Sequence, residues 1–195
     1  MARRKPLPIP LLSSDTQKLF DVLNGEGDMP AVLIATSYLD ECLAALLHQF
    51  MVSGSTTESL LSPVTGALGS FSARADLAYS LGLINTFAFK DLKTIGNIRN
   101  AFAHSHLSVS FSSPQVQDLT AALGYLAVLD EEMNMNNASV GDPVPMSKTA
   151  ASPRDRFVMT VVMLSSQLLL LGLGLERRVR SDAFVQSYSK KLAST

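Results

Sequence analysis

The sequence contains one cysteine and no tryptophan, and these shortages exclude several classes of protein before any motif is considered. Because Cys42 stands alone, the chain has no intrachain disulfide and no cysteine-based metal cluster, which fits a reducing cytoplasm. Aromatic residues make up only 7% of the chain, so a platform for stacking nucleic-acid bases is poorly supplied. The formal net charge of −1 argues against broad electrostatic capture of DNA. We therefore expect a cytoplasmic protein in which Cys42 is a small buried residue rather than a nucleophile.

Motifs for phosphates and metals are also absent. Gly25 and Gly27 lack the third glycine and the preceding strand of a phosphate-binding loop. The histidines do not have the spacing of a metal cluster, so no metal and no cofactor is predicted. Two short basic clusters, at residues 3–5 and 177–180, are best explained as solvated surface. Direct contact with DNA or RNA is left open by these clusters.

What is present is a set of apolar residues at helical spacing. Hydrophobic residues make up 47% of the chain, enough for a substantial core. No stretch alternates Val, Ile and Thr between hairpin turns, so the predicted fold class is all-α, a multi-helix bundle. We expect an extended basic and proline-rich arm over residues 1–12, a helical core over 13–134 and a linker over 135–152. Residues 153–195 are expected to form an apolar helix and a short terminal helix, packed on the core.

Three polar residues mark expected helix starts. Asp28 is predicted to cap a long helix that is apolar around much of its circumference and therefore central. Asp91 is predicted to cap a second helix, which ends near His104. Ser113 is predicted to begin a third, long helix whose leucines point inward as far as Leu129.

The segment Phe157–Leu175 carries no charge and is just long enough to span a bilayer. It contains Ser165, Ser166 and Gln167 near its middle, and arginines flank both of its ends. Because this leaves no clear positive-inside asymmetry, a helix buried on most sides is the better interpretation and a membrane contact is not expected.

The most distinctive motif is an arginine, an amide and a histidine within six residues: Arg99, Asn100 and His104. On a helix, Asn100 and His104 are four apart and share a face, whereas Arg99 lies about 140° from His104. Such a set can cleave RNA without a metal, because an imidazole can take the proton of the 2′-hydroxyl while arginine stabilises charge on the phosphate. One copy supplies few groups, so this chemistry requires a two-fold dimer that places two motifs face to face.

A structural role for the same motif is the alternative. In that case Arg99 pairs with a carboxylate such as Asp40 or Asp76, and the amide and imidazole form hydrogen bonds within the bundle. A carboxylate pair for acid–base work is less favoured, because neighbouring acids on a helix face different directions. The possible polar cluster comprises Asp40, Glu41, Arg74, Asp76, Arg99 and His104.

Six short segments, occurring in order, resemble the mannitol operon repressor family of bacterial proteins over about residues 15–130. They are LNGE at 23–26, AVLIA at 31–35, LDECL at 39–43, GSFSAR at 69–74, LAYSLGLI at 77–84 and IRNAFAHS at 98–105. The resemblance implies an all-helical cytoplasmic repressor of mannitol-utilisation genes that lacks an obvious DNA-reading module and acts through a partner protein. Arg99, Asn100 and His104 also resemble the motif of the HEPN superfamily of helical ribonucleases and nucleotide-binding toxins.

Taken together, these patterns favour a non-enzymatic transcriptional regulator that forms a homodimer and acts mainly through protein–protein contacts. Near-neutral charge and the lack of a helix-turn-helix signature agree with indirect action on DNA. The alternative is a metal-independent ribonuclease or toxin in which His104 is the base, Arg99 is the phosphate clamp and Asn100 assists.

Overall fold

Helices account for all of the regular secondary structure in the part of the chain that the structure describes. The computed structural model describes residues 16–104, 109–136, 145–176 and 178. The helices are α1 (Thr16–Gly25), α2 (Asp28–Phe50), α3 (Ser55–Leu60), α4 (Phe71–Ser80), α5 (Thr86–His104), α6 (Pro114–Ala121), α7 (Tyr125–Asn136), α8 (Met146–Thr149) and α9 (Pro153–Gly174). The predicted all-α multi-helix bundle is thus confirmed. The predicted arm over residues 1–12 and the short terminal helix lie outside the described residues.

Helices α2 and α9 form the centre of the bundle. They pack along each other, and α9 also contacts α1, α5, α6 and α7. Leu39, Leu43 and Leu46 of α2 are fully buried, as are Phe157 and Leu164 of α9. The prediction that the helix beginning at residue 28 is central is therefore confirmed, and the helix nearest the C-terminus belongs to the same core.

By length and composition alone, these same two helices could cross a membrane. Their apolar windows have mean hydropathies of 1.4 for Asp28–Phe50 and 2.0 for Pro153–Gly174, and 61% and 50% of those windows are buried inside the bundle. The core helices of soluble proteins pass the same test, so it is weak evidence for a span.

Helix α9 begins with a capping box, in which Ser152 and Asp155 bind each other's backbone amides.

The two aspartates predicted as helix caps have other partners. Helix α2 is preceded by Gly27, and the Asp28 carboxylate accepts a hydrogen bond from the Phe111 amide at 2.9 Å. Asp28 also forms an ion pair with Arg154 at the start of α9. Its role is therefore to join the two central helices to the segment before α6, which a local capping rule does not reveal.

Asp91 lies inside α5 rather than at its start. The helix begins at Thr86, where the Asn85 side chain accepts a hydrogen bond from the Ala88 amide at 2.9 Å. The buried Asp91 carboxylate instead accepts hydrogen bonds from the amides of Gly124, at 3.0 Å, and Tyr125, at 2.9 Å. Burial raises the pKa of Asp91 despite these two bonds. Asp91 thus caps α7 from a neighbouring helix.

The prediction of one long helix from Ser113 is wrong, and the contact of Asp91 with the amides of Gly124 and Tyr125 marks the place where the chain leaves the helix. The chain forms two helices there, α6 and α7, separated at Leu123 and Gly124. Because the first amides of α7 are bound by Asp91, the break at Gly124 leaves those donors satisfied.

The predicted linker over 135–152 contains regular structure. Helix α7 continues to Asn136, and α8 forms a single turn whose first amides, of Met146 and Ser147, bind the Asp130 carboxylate at 2.7 and 2.9 Å. Burial alone would raise the pKa of Asp130, but hydrogen bonds from Ser147 and Met146 and the charge of Lys148 lower it overall. Residues 137–144 lie outside the described part.

The single cysteine lies within the α2 core. Cys42 is 1% exposed, and burial raises the pKa of its thiol to about 12. We therefore expect the native protein to react with an aromatic disulfide reagent at neutral pH at least about 100-fold more slowly than an ordinary thiol, because the thiol is buried and the thiolate is the nucleophile. Labelling should reach one thiol per chain in denaturant, which is the control, whereas fast labelling of the native protein would contradict the buried position.

Candidate functional site

The last three turns of α5 separate an apolar face from a polar one. Ile95, Ile98 and Phe102 recur at helical spacing and are buried. The residues that point to solvent are Asn97, Arg99, Asn100, Ala103 and His104. The motif singled out from the sequence is therefore on the surface, and it forms a ridge between two concavities.

One concavity lies where α2, the start of α4 and α5 meet, and we call it the Arg99 groove. Its volume is about 450 Å³. The side chains important here are Leu33, Ser37, Asp40, Phe71, Arg99 and Asn100. Gly96 lies on the groove wall, where an added Cβ would be 3.6 Å from the Phe71 ring. The groove therefore combines the apolar side chains of Leu33 and Phe71, hydroxyl groups and the exposed guanidinium of Arg99.

An ion pair between the buried Arg74 and the partly exposed Asp40 forms the floor of the groove. Arg74 is 2% exposed, and its Nη1 lies 2.6 Å from Asp40 Oδ2. Its Nε and Nη2 donate to the carbonyls of Leu68 and Leu61, each at 2.9 Å. Arg74 thereby fastens the segment between α3 and α4 to α2. Burial raises the pKa of Asp40, and the positive charges of Arg74 and Arg99 oppose that rise.

The carboxylate partners suggested for Arg99 are bound by other cations. Asp40 pairs with Arg74, and Asp76 pairs with Lys93 Nζ at 3.0 Å on the surface. The described polar contact of Arg99 is a hydrogen bond from its Nη1 to Asn100 Oδ1 at 3.3 Å. Among the described contacts no ion pair joins Arg99 to Asp40 or Asp76, although the charge of Arg99 opposes the rise in the pKa of Asp40.

The second concavity lies between α5 and α6, and we call it the His104 cavity. Its volume is about 740 Å³. Its polar lining consists of Asn97, Asn100, His104, Gln115 and Asp118, and its apolar lining consists of Ala101, Val109 and Leu119. The shared wall of Asn100 and His104 agrees with their spacing of four residues.

Arg99 and His104 line different concavities of one chain. Arg99 faces the groove, His104 faces the cavity, and Asn100 lines both. Of the wider predicted cluster, Asp40, Arg74 and Arg99 lie at or beneath the groove. Glu41 lies next to Asp40, where its negative charge raises the pKa of Asp40.

Sequence reasoning missed the residues that complete these concavities. Leu33 lies on the helix predicted to be apolar around much of its circumference, and it is 40% exposed at the groove. Gln115 and Asp118 come from α6, and their spacing of three residues was the only signal that they share a face. Among the residues that the structure describes, no three His, Cys, Asp or Glu side chains come together as a metal site.

Comparisons with known proteins place the chain among regulators. A sequence model of the mannitol repressor family matches residues 18–173, which extends beyond the recognisable motifs to include α9. The fold is similar to a chain in the X-ray structure of the MtlR–HPr complex from Escherichia coli, with a TM-score of 0.60 and 19% sequence identity. That match covers 80% of this chain and 98% of the other. No curated protein matches the sequence significantly. These matches lend no support to the ribonuclease alternative, and the chain belongs to the mannitol repressor family.

Proposed function

We propose that this chain is a cytoplasmic regulator that acts by binding a protein partner at the Arg99 groove rather than by reading DNA itself. The observation that carries the proposal is the similar fold of a protein whose structure was determined in complex with HPr. Family membership supports the regulatory role, and the net charge of −1 agrees with action through a protein rather than through phosphates. Homodimer formation remains a prediction, which light scattering coupled to size exclusion would measure.

The groove has the features of a protein-binding surface. Leu33 is 40% exposed and Met29, one turn earlier on α2, is 45% exposed. Arg99 lines the groove together with Leu33 and supplies a guanidinium. Arginine, like tryptophan and tyrosine, is enriched among the residues that contribute most to binding at protein interfaces. Because Asp40 and Arg74 neutralise each other below, Arg99 gives the groove its positive sign. We expect it to accept a carboxylate that lies next to an apolar side chain of the partner.

The test is a calorimetric titration of the chain with HPr. We expect wild-type binding, and at least about 10-fold weaker binding for Arg99→Glu and for Leu33→Asp, because removal of a central contact costs about 2 kcal/mol or more. The matched controls are Lys90→Glu, a charge reversal on the same helix outside the groove, and Leu170→Asp on exposed α9 surface.

The outcomes separate the two parts of the proposal. Absence of wild-type binding would overturn HPr as the kind of partner. Equal weakening by Arg99→Glu and Lys90→Glu would overturn the groove as the binding surface, since both variants change the net charge equally. RNA cleavage that disappears in His104→Ala would instead favour the ribonuclease.

A further inference from the structure

The His104 cavity carries an arrangement of side chains that the partner-binding role does not use. Its volume of about 740 Å³ lies within the range of roughly 300–1,000 Å³ that is typical of small-molecule sites. The polar groups come from two helices, α5 and α6, which pack against each other. We propose that this cavity binds a small, uncharged molecule rich in hydroxyl groups, either a sugar or a sugar alcohol.

The hydrogen-bonding groups of the His104 cavity are suited to a hydroxyl-rich ligand. Asn97 and Gln115 each present both a donor and an acceptor, because a side-chain amide contains a carbonyl oxygen and an NH₂ group, whereas the Asn100 carbonyl accepts a hydrogen bond from Arg99. A hydroxyl group also donates and accepts, so neighbouring hydroxyls match neighbouring amides. In the described part of the chain, the side chains of Asn97, His104, Gln115 and Asp118 form no hydrogen bond with one another.

The charge of the lining residues favours an uncharged ligand over an anionic one. Asp118 supplies a negative charge, and none of the described lining residues is a lysine or an arginine. A phosphate or carboxylate placed there would meet Asp118, while the guanidinium of Arg99 is bound to Asn100 and lines the other concavity. The cavity therefore disfavours an anionic ligand and suits a neutral one, whose hydroxyls can donate to the carboxylate.

The apolar lining favours a hydroxyl-rich ligand over a nucleobase. Ala101, Val109 and Leu119 are small or aliphatic, and no described lining residue is aromatic. A nucleobase would lack a stacking partner, whereas the C–H groups of a polyol can pack on aliphatic side chains. The chemistry of the lining thus selects hydroxyl-rich carbon chains or rings over bases.

Calorimetric titration in the absence of HPr tests the assignment, with D-mannitol as the linear probe and D-glucose as the cyclic probe. We expect one of the two to bind, and Gln115→Ala to weaken that binding at least about 10-fold. Gln117→Ala is the matched control, because Gln117 is exposed on the same helix and does not line the cavity, and its binding should equal that of the wild type.

A second arm tests the charge argument. Mannitol 1-phosphate should bind wild type at least about 10-fold more weakly than the uncharged probe, and Asp118→Asn should remove most of that difference. Failure of both uncharged probes to saturate the protein, equal effects of Gln115→Ala and Gln117→Ala, or tighter binding of the phosphate ester would each overturn the inference. Because HPr is absent, none of these results bears on the partner-binding proposal.

Discussion

An Arg74→Ala variant is expected to unfold with a free energy about 2–4 kcal/mol lower than that of the wild type, because the change removes the buried member of an ion pair whose other member, Asp40, is 28% exposed and keeps part of its solvation. Arg74 is 2% exposed and binds the Asp40 carboxylate as well as the carbonyls of Leu61 and Leu68. The variant loses all of these contacts at once. Urea denaturation followed by circular dichroism measures the change.

The control for this prediction is Lys93→Ala. The Lys93–Asp76 pair has a comparable distance, 3.0 Å, but its side chains are 41% and 51% exposed. Exposed pairs contribute little, so the expected loss is below about 1 kcal/mol. The double variant Asp40→Ala/Arg74→Ala should lose much less stability than the sum of the losses in the two single variants, because both changes remove the same ion pair. Additive effects would show that the two residues do not stabilise each other.

A Phe157→Ala variant is expected to lose about 3–5 kcal/mol of stability through the cavity it leaves in the core. Phe157 is fully buried on α9, and its ring lies 5.3 Å from that of Phe111, which lies 5.5 Å from Phe102 of α5. The three rings join α5, the segment before α6 and α9. Thermal or urea unfolding of the purified protein gives the measurement.

Leu170→Ala is the matched control on the same helix. Leu170 is 68% exposed, so its truncation should change stability by no more than about 0.5 kcal/mol. A large difference between the two variants is the result expected of a core helix in a soluble bundle. Similar small effects of both would contradict the packing of α9 against the other helices.

Helical spacing was enough to predict which parts of α5 face inward. Ile95, Ile98 and Phe102 recur at the helical period, so the exposed positions of Arg99, Asn100 and His104 follow from the same pattern. The common wall of Asn100 and His104 follows from their spacing of four. The helical spacing of the apolar residues in α5 therefore accounts for the exposed ridge that carries Arg99, Asn100 and His104.

The partners of the buried carboxylates could not be obtained in this way. Asp91 binds amides 33 and 34 positions away, and Asp28 binds an amide 83 positions away. A capping rule considers only the following turn, so it assigned both residues to their own helices. Likewise, nothing local decides whether Asp40 pairs with Arg74 or with Arg99, because that choice depends on how α2, α4 and α5 meet.

The central position of α9 also sets the order in which the molecule can be completed during synthesis. Roughly 100 residues separate the end of α2 at Phe50 from the start of α9 at Pro153. At about 5–20 residues per second, the apolar face of α2 has no α9 to cover it for about 5–20 s after its translation. Until then the side of α2 that packs on α9 stays uncovered in the nascent chain, where chaperones can bind it. The core of the described bundle can therefore be completed only after α9 has been made.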